Sequence, residues 1–133
     1  MTKVMVFGTF DILHKGHINF LEQAKGYGKL IVVVGTDKNV EKIKEQKPVH
    51  ALKTRIGQIM KLHIAHEVVS GYEDDFFRII DEKRPDVICL GYDQDTHGLK
   101  REIKKRGWHI SVVRLKPFRE NTYKSSILRQ TLF

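Results

Sequence analysis

At 133 residues the chain fits one domain and is long enough to bury a real core. No stretch approaches the apolar length of a membrane span, and Met1-Thr2-Lys3 runs into apolar sequence with no signal-peptide pattern, so a soluble cytoplasmic protein is expected. The 24 Lys and Arg against 16 Asp and Glu give a net charge of +8 and favour anionic partners. These cations are spread along the chain without interleaved aromatics, so phosphorylated small molecules fit better than nucleic acid.

Val4-Met5-Val6-Phe7 reads as a first buried strand, and Ile18, Phe20, Leu21 and Ala24 as one face of the following helix. After the turn Gly26-Tyr27-Gly28, the run Leu30-Ile31-Val32-Val33-Val34-Gly35 predicts a strand covered on both faces. Residues 38–49 are the most charged and least periodic, and are expected as a mobile flap or short helix beside the site. From Ala51 onward, Leu52, Ile56, Ile59, Met60 and His63 keep helical spacing.

Glu67-Val68-Val69-Ser70 predicts a short strand, and Phe76, Phe77, Ile79 and Ile80 a helix face ending before Pro85. Val87-Ile88-Cys89-Leu90 is the next strand, residues 99–106 a basic helix stopped by Gly107, residues 110–115 the last strand, and residues 125–133 a short helix opened by serine. Strands alternating with helices imply right-handed βαβ units. The expected fold is α/β, a Rossmann-like, doubly wound, five-stranded parallel sheet with helices on both faces, in a single domain over residues 1–133. The lone Cys89 excludes a disulfide framework within one chain and reads as core.

In such sheets ligands bind beyond the carboxyl ends of the strands, so functional residues should follow strands directly. The segment Gly8-Thr9-Phe10-Asp11-Ile12-Leu13-His14-Lys15-Gly16-His17 does so. A helix start leaves N–H groups unpaired and carries partial positive charge, which attracts phosphate. His14 and His17, three residues apart, project from one side of the first helical turn and aim two groups at one anion. A plain capped turn accounts for Asp11 and Gly16 but not for both histidines. His50, His63, His66, His97 and His109 share no complete metal-ligand spacing and are expected to be structural or surface groups.

The pattern G-T-F-D-x-x-H-x-G-H resembles the first signature of the H-x-G-H nucleotidyltransferase superfamily, which contains cytidylyl- and adenylyltransferases. Ser125-Ser126-Ile127-Leu128-Arg129 is similar to the S-[ST]-x-x-R part of that superfamily's carboxyl-terminal motif, and Gly91-Tyr92-Asp93-Gln94 to its G-x-[DN] segment. The resemblance implies a triphosphate site formed by Gly8, Thr9, Phe10, His14, Lys15, Gly16 and His17. It adds Ser125, Ser126 and Arg129 on the phosphates and Asp93 on the sugar or base. Tyr123 is equally a nucleotide contact or a packing residue. Lys44, Lys47 and Arg55 match basic positions of related enzymes, though a solvated charged face explains any one of them as well.

On this reading His14, His17, Lys44 and Arg129 carry catalysis, and Mg²⁺ arrives with ATP and bridges phosphate oxygens with few protein ligands. The glycerol-3-phosphate cytidylyltransferases share the first motif, but their R-T-E-G-I-S-T signature is broken here at Arg119-Glu120-Asn121-Thr122-Tyr123-Lys124-Ser125-Ser126. Gly71-Tyr72-Glu73-Asp74-Asp75, Gly91-Tyr92-Asp93-Gln94 and the Tyr123-Lys124-Ser125-Ser126 ending instead look like the archaeal-type FAD synthases, although the cysteines those enzymes often carry near the carboxyl terminus are missing. The implied activity is AMP transfer from ATP to FMN, by a homodimer binding neither nucleic acid nor membrane. The alternatives are cytidylyl transfer to glycerol 3-phosphate or another small phosphorylated alcohol, AMP transfer to a sugar phosphate, and, in a different class, a non-catalytic nucleotide sensor or nucleic-acid-binding module.

Overall fold

The chain runs β1 (Lys3–Gly8), α1 (Lys15–Lys25), β2 (Lys29–Val34), α2 (Asp37–Lys44), α3 (Leu52–Met60), β3 (Glu67–Ser70), α4 (Arg78–Lys83), β4 (Val87–Leu90), α5 (Leu99–Arg106) and β5 (Ser111–Arg114). This is a computed structural model describing residues 2–96 and 98–118. The strands form one all-parallel sheet in the order β3-β2-β1-β4-β5, so the order reverses at β1. The expected five-stranded α/β architecture is the observed one.

Alternation along the strands sorts the core into two layers. Val4 and Val6 face Leu30, Val32, Val34 and Cys89, and α1 and α3 cover that side with Leu21, Ala24 and Ile59. Met5 and Phe7 face Ile31, Val33, Ile88 and Leu90, covered by Ile79 and Ile80 of α4, Leu99 of α5, and Trp108. Cys89 is fully buried and its thiol is pushed up to about 11 by burial, which makes it a packing group.

Two local expectations need correction, and the short-helix alternative for residues 38–49 is the one observed. Met60 is exposed, and His63 lies beyond α3 with a left-handed backbone at φ 55°; Arg55 takes a place on the buried face instead. Phe76 and Phe77 precede α4, held in a turn where the Asp75 carboxylate accepts the Phe77 N–H at 2.9 Å. Within residues 38–49, a helix forms as far as Lys44, because the Thr36 hydroxyl caps it by accepting the Asn39 N–H.

The turn before β2 depends on Gly28, whose φ is +153° and whose added Cβ would lie 2.4 Å from the Thr2 carbonyl oxygen. That carbonyl accepts the Lys29 N–H and starts the β1–β2 pairing, so it cannot shift freely. Gly28→Ala should therefore cost about 2 kcal/mol, the scale of a strained backbone position. Thermal melting would read this as a drop of roughly 5–10 °C.

Candidate active site

The carboxyl ends of β1 and β4 lie side by side where the strand order reverses, the place where open α/β sheets bind ligands. Gly8 ends β1; a Cβ there would meet the Phe10 ring at 2.7 Å, so glycine lets the chain fold back over its own aromatic. Phe10 is buried with φ 50°, its ring 5.6 Å from the His17 ring and 6.2 Å from Phe20. It forms a floor under the histidines and shows no open face.

His14 is the N-cap of α1. Its Nδ1 accepts the Gly16 N–H at 3.1 Å, a role the capped-turn reading would have left to Asp11. An accepting Nδ1 puts the proton of neutral His14 on Nε2, which becomes the ring's donor. The His14 and His17 rings stack 3.9 Å apart at 22°. His14 Nε2 and His17 Nδ1 are buried and have no hydrogen-bond partner among the described residues. Buried polar atoms are normally satisfied, and these two on neighbouring stacked rings are left open: His14 Nε2 is a donor, while His17 Nδ1, with the ring's other nitrogen engaged at the Ile12 backbone, is an acceptor until the ring takes up a proton.

Burial disfavours the charged form of both rings. Burial lowers the His14 pKa. It lowers His17 further, to about 4, assisted by the charges of His14 and Lys44 and opposed by a backbone hydrogen bond with Ile12. A bound polyphosphate would reverse the balance by favouring the charged form. The unfolded chain holds a proton on His17 below 6.5 that the folded chain gives up until about 4, so the stability this group contributes is complete above pH 6.5 and is lost as pH falls toward 4. That loss reaches at most about 3 kcal/mol, and His17→Ala should flatten the melting temperature across that window.

Of the other expected site residues, Lys15 and Gly16 occupy the first turn of α1, Lys15 exposed and Gly16 buried. Lys44, in the last turn of α2, acts electrostatically on His17; Lys47 is exposed beyond it. Asp93 is exposed in the turn after β4. Tyr123, Ser125, Ser126 and Arg129 lie outside the described residues, as does His97.

Arg55 is corrected from a phosphate or surface cation to an internal strut. Its side chain is fully buried and donates to Thr9 O at 2.9 Å, His50 O at 3.0 Å and Asp37 Oδ1 at 2.7 Å. Its position on the apolar face of α3, three residues after Leu52 and four before Ile59, was the signal for this burial. Asp11, within the motif, accepts the N–H groups of Val49 at 2.6 Å and His50 at 2.8 Å.

The bracing roles of two further residues were not expected. Gln94 accepts the Gly91 N–H and donates to Phe7 O, stitching the end of β4 to the end of β1. Arg114 donates to the carbonyls of Gly91 and Gln94 and braces the loop that carries Asp93. No group of three or more His, Cys, Asp or Glu among the described residues is placed to hold a metal ion, and Asp11 and Asp37 are already engaged. The described donor set suits phosphate.

Residues 5–131 match the cytidylyltransferase-like family. A FAD synthase of Archaeoglobus profundus is 43% identical over 95% of this chain and 82% of its own length. One of Korarchaeum cryptofilum is 41% identical over 98% of this chain and 91% of its own. A crystal structure described as the lipopolysaccharide core biosynthesis protein of Thermoplasma volcanium superposes with a TM-score of 0.83, at 36% identity, over 89% of this chain and 98% of that one.

Proposed function

The chain belongs to the cytidylyltransferase-like family, and from that premise we propose that it transfers AMP from ATP to FMN, releasing pyrophosphate and forming FAD. The observation that carries the reaction class is the stacked histidine pair with two buried, unpartnered nitrogens at the start of α1. The FAD synthase relatives at 41–43% identity support the choice of ATP and FMN.

An oxygen of the FMN phosphate attacks the α-phosphorus in line; the new O–P bond forms as the bond to the β-phosphate oxygen breaks, and pyrophosphate leaves with that electron pair. The attacking phosphate is already ionised at neutral pH, so no general base is needed. The protein's work is positioning and charge stabilisation. His14 Nε2–H and His17 hold the triphosphate and meet the charge that grows on the α-phosphate oxygens. Lys44 or Lys47 neutralises the β and γ phosphates, assigned there by resemblance along with Arg129, Ser125 and Ser126.

Asp93 and Tyr123 are assigned to the nucleoside on the same ground. The start of α1 at Lys15 supplies partial positive charge. Mg²⁺ bound to ATP would neutralise phosphate charge. We place the enzyme in the cytoplasm as a homodimer of single-domain chains, on the strength of the resemblance. Among the described residues, no helix is long and apolar enough to cross a membrane.

The relative described as a lipopolysaccharide core biosynthesis protein supports a second reading, nucleotidyl transfer to a sugar phosphate. Pyrophosphate release from ATP and CTP, each offered FMN, glycerol 3-phosphate and a hexose phosphate, separates the two. The expected result is release with ATP and FMN alone; turnover only with CTP, or only with a sugar phosphate, would reject the FAD synthase assignment.

A further inference from the structure

We propose that Asp11 and Arg55 form a two-point clamp that sets the end of α2, and with it Lys44, against the histidine pair; both are positioning residues for the transfer. The inference rests on reading that pair as the triphosphate site. The excursion between β2 and α3 has little apolar packing of its own. Among the residues of α2 only Val40 is buried, while Ile43 and Val49 are 68% and 71% exposed. Polar contacts therefore decide where the segment lies.

Those contacts converge on the motif loop. The Arg55 guanidinium joins the start of the excursion, at Asp37 Oδ1, to its end, at His50 O, and ties both to Thr9 O. From the other side the Asp11 carboxylate takes the N–H groups of Val49 and His50. His50 is thus held by both of its main-chain groups. Asn39 Nδ2 donates to Tyr72 O at 3.1 Å and fixes the opposite flank of α2 to the loop after β3.

The clamp needs neither residue to touch substrate. Arg55 has no exposed side-chain surface, and both Asp11 oxygens already accept main-chain N–H groups. What they control is the placement of Lys44, an exposed and long side chain whose charge already reaches His17. Misplacing such a group by about 1 Å can cost 10²-fold in rate.

The test compares Asp11→Asn, Lys44→Ala and the double variant in the full chain, by initial rates of pyrophosphate release over a range of ATP and by NMR titration of the His17 ring. Each single variant is expected to lower kcat/KM for ATP at least about tenfold, and the double variant no further than the worse single one. The His17 ring should titrate higher in both single variants, because both remove the Lys44 charge from it. Independent, multiplying losses, or an unshifted His17 in Asp11→Asn beside a shifted one in Lys44→Ala, would overturn the clamp.

Full activity of Lys44→Ala would overturn it as well. If the unaltered chain releases no pyrophosphate from any pair of substrates, the functional reading fails, and the His17 titration still decides the clamp. Should Asp11→Asn not fold, Arg55→Lys, which keeps the charge but not the three-way fork, enters the same cycle with the same expected outcomes.

Discussion

Replacing His17 by alanine is expected to lower kcat/KM about 10²–10³-fold, the loss typical of deleting one preorganised donor to a developing oxyanion. His17 Nδ1 is buried without a partner, and the ring is stacked on His14 and set edge-on to Phe10, so its direction is fixed before substrate arrives. Once the bound triphosphate favours the protonated ring, Nδ1–H donates from a direction already set, which is why its removal should appear in kcat and not only in KM. His17→Asn, whose amide nitrogen falls near the place of Nδ1, should recover part of the loss. Melting of both variants near that of the unaltered chain at pH 7 would assign the effect to chemistry, and steady-state rates indistinguishable from the unaltered chain would remove His17 from the site.

The largest effect on stability is expected from Arg55→Met. Deleting one partner of a buried ion pair commonly costs 3–5 kcal/mol, and the lower end applies here because Asp37 is half exposed and regains water. The carbonyls of Thr9 and His50 lose their donors at the same time. A net loss of about 3 kcal/mol, or roughly 10 °C in melting temperature, follows. Chemical unfolding measures it; a loss below about 1 kcal/mol would mean that the excursion finds other anchors.

The fold was legible where apolar periodicity was strong. The runs at Val4, Leu30, Glu67 and Val87 gave their strands because residues of each pack against helices in the sheet's two core layers. The helix from Leu52 was legible as an element but not in its face. Met60 and His63 kept the spacing yet fall where the chain turns away, and Arg55 kept it too but was set aside as a charge.

The motif placed both histidines at the helix start, and the structure puts them there. What escaped was the wiring around them. Asp11 meets Val49 and His50 across 38 and 39 residues of sequence, and Gln94 meets Phe7 across 87; no local pattern encodes such pairings. They exist only once the parallel sheet has brought the strand ends to one edge.

Nucleotidyl transfer is tested most directly by the fate of labelled phosphate. With FMN and ATP labelled at the α-phosphorus, the label is expected in FAD, and with the γ-phosphorus labelled it is expected in pyrophosphate. A γ label carried into the flavin, or an α label that stays out of it while the triphosphate is consumed, would contradict AMP transfer at the His14–His17 site.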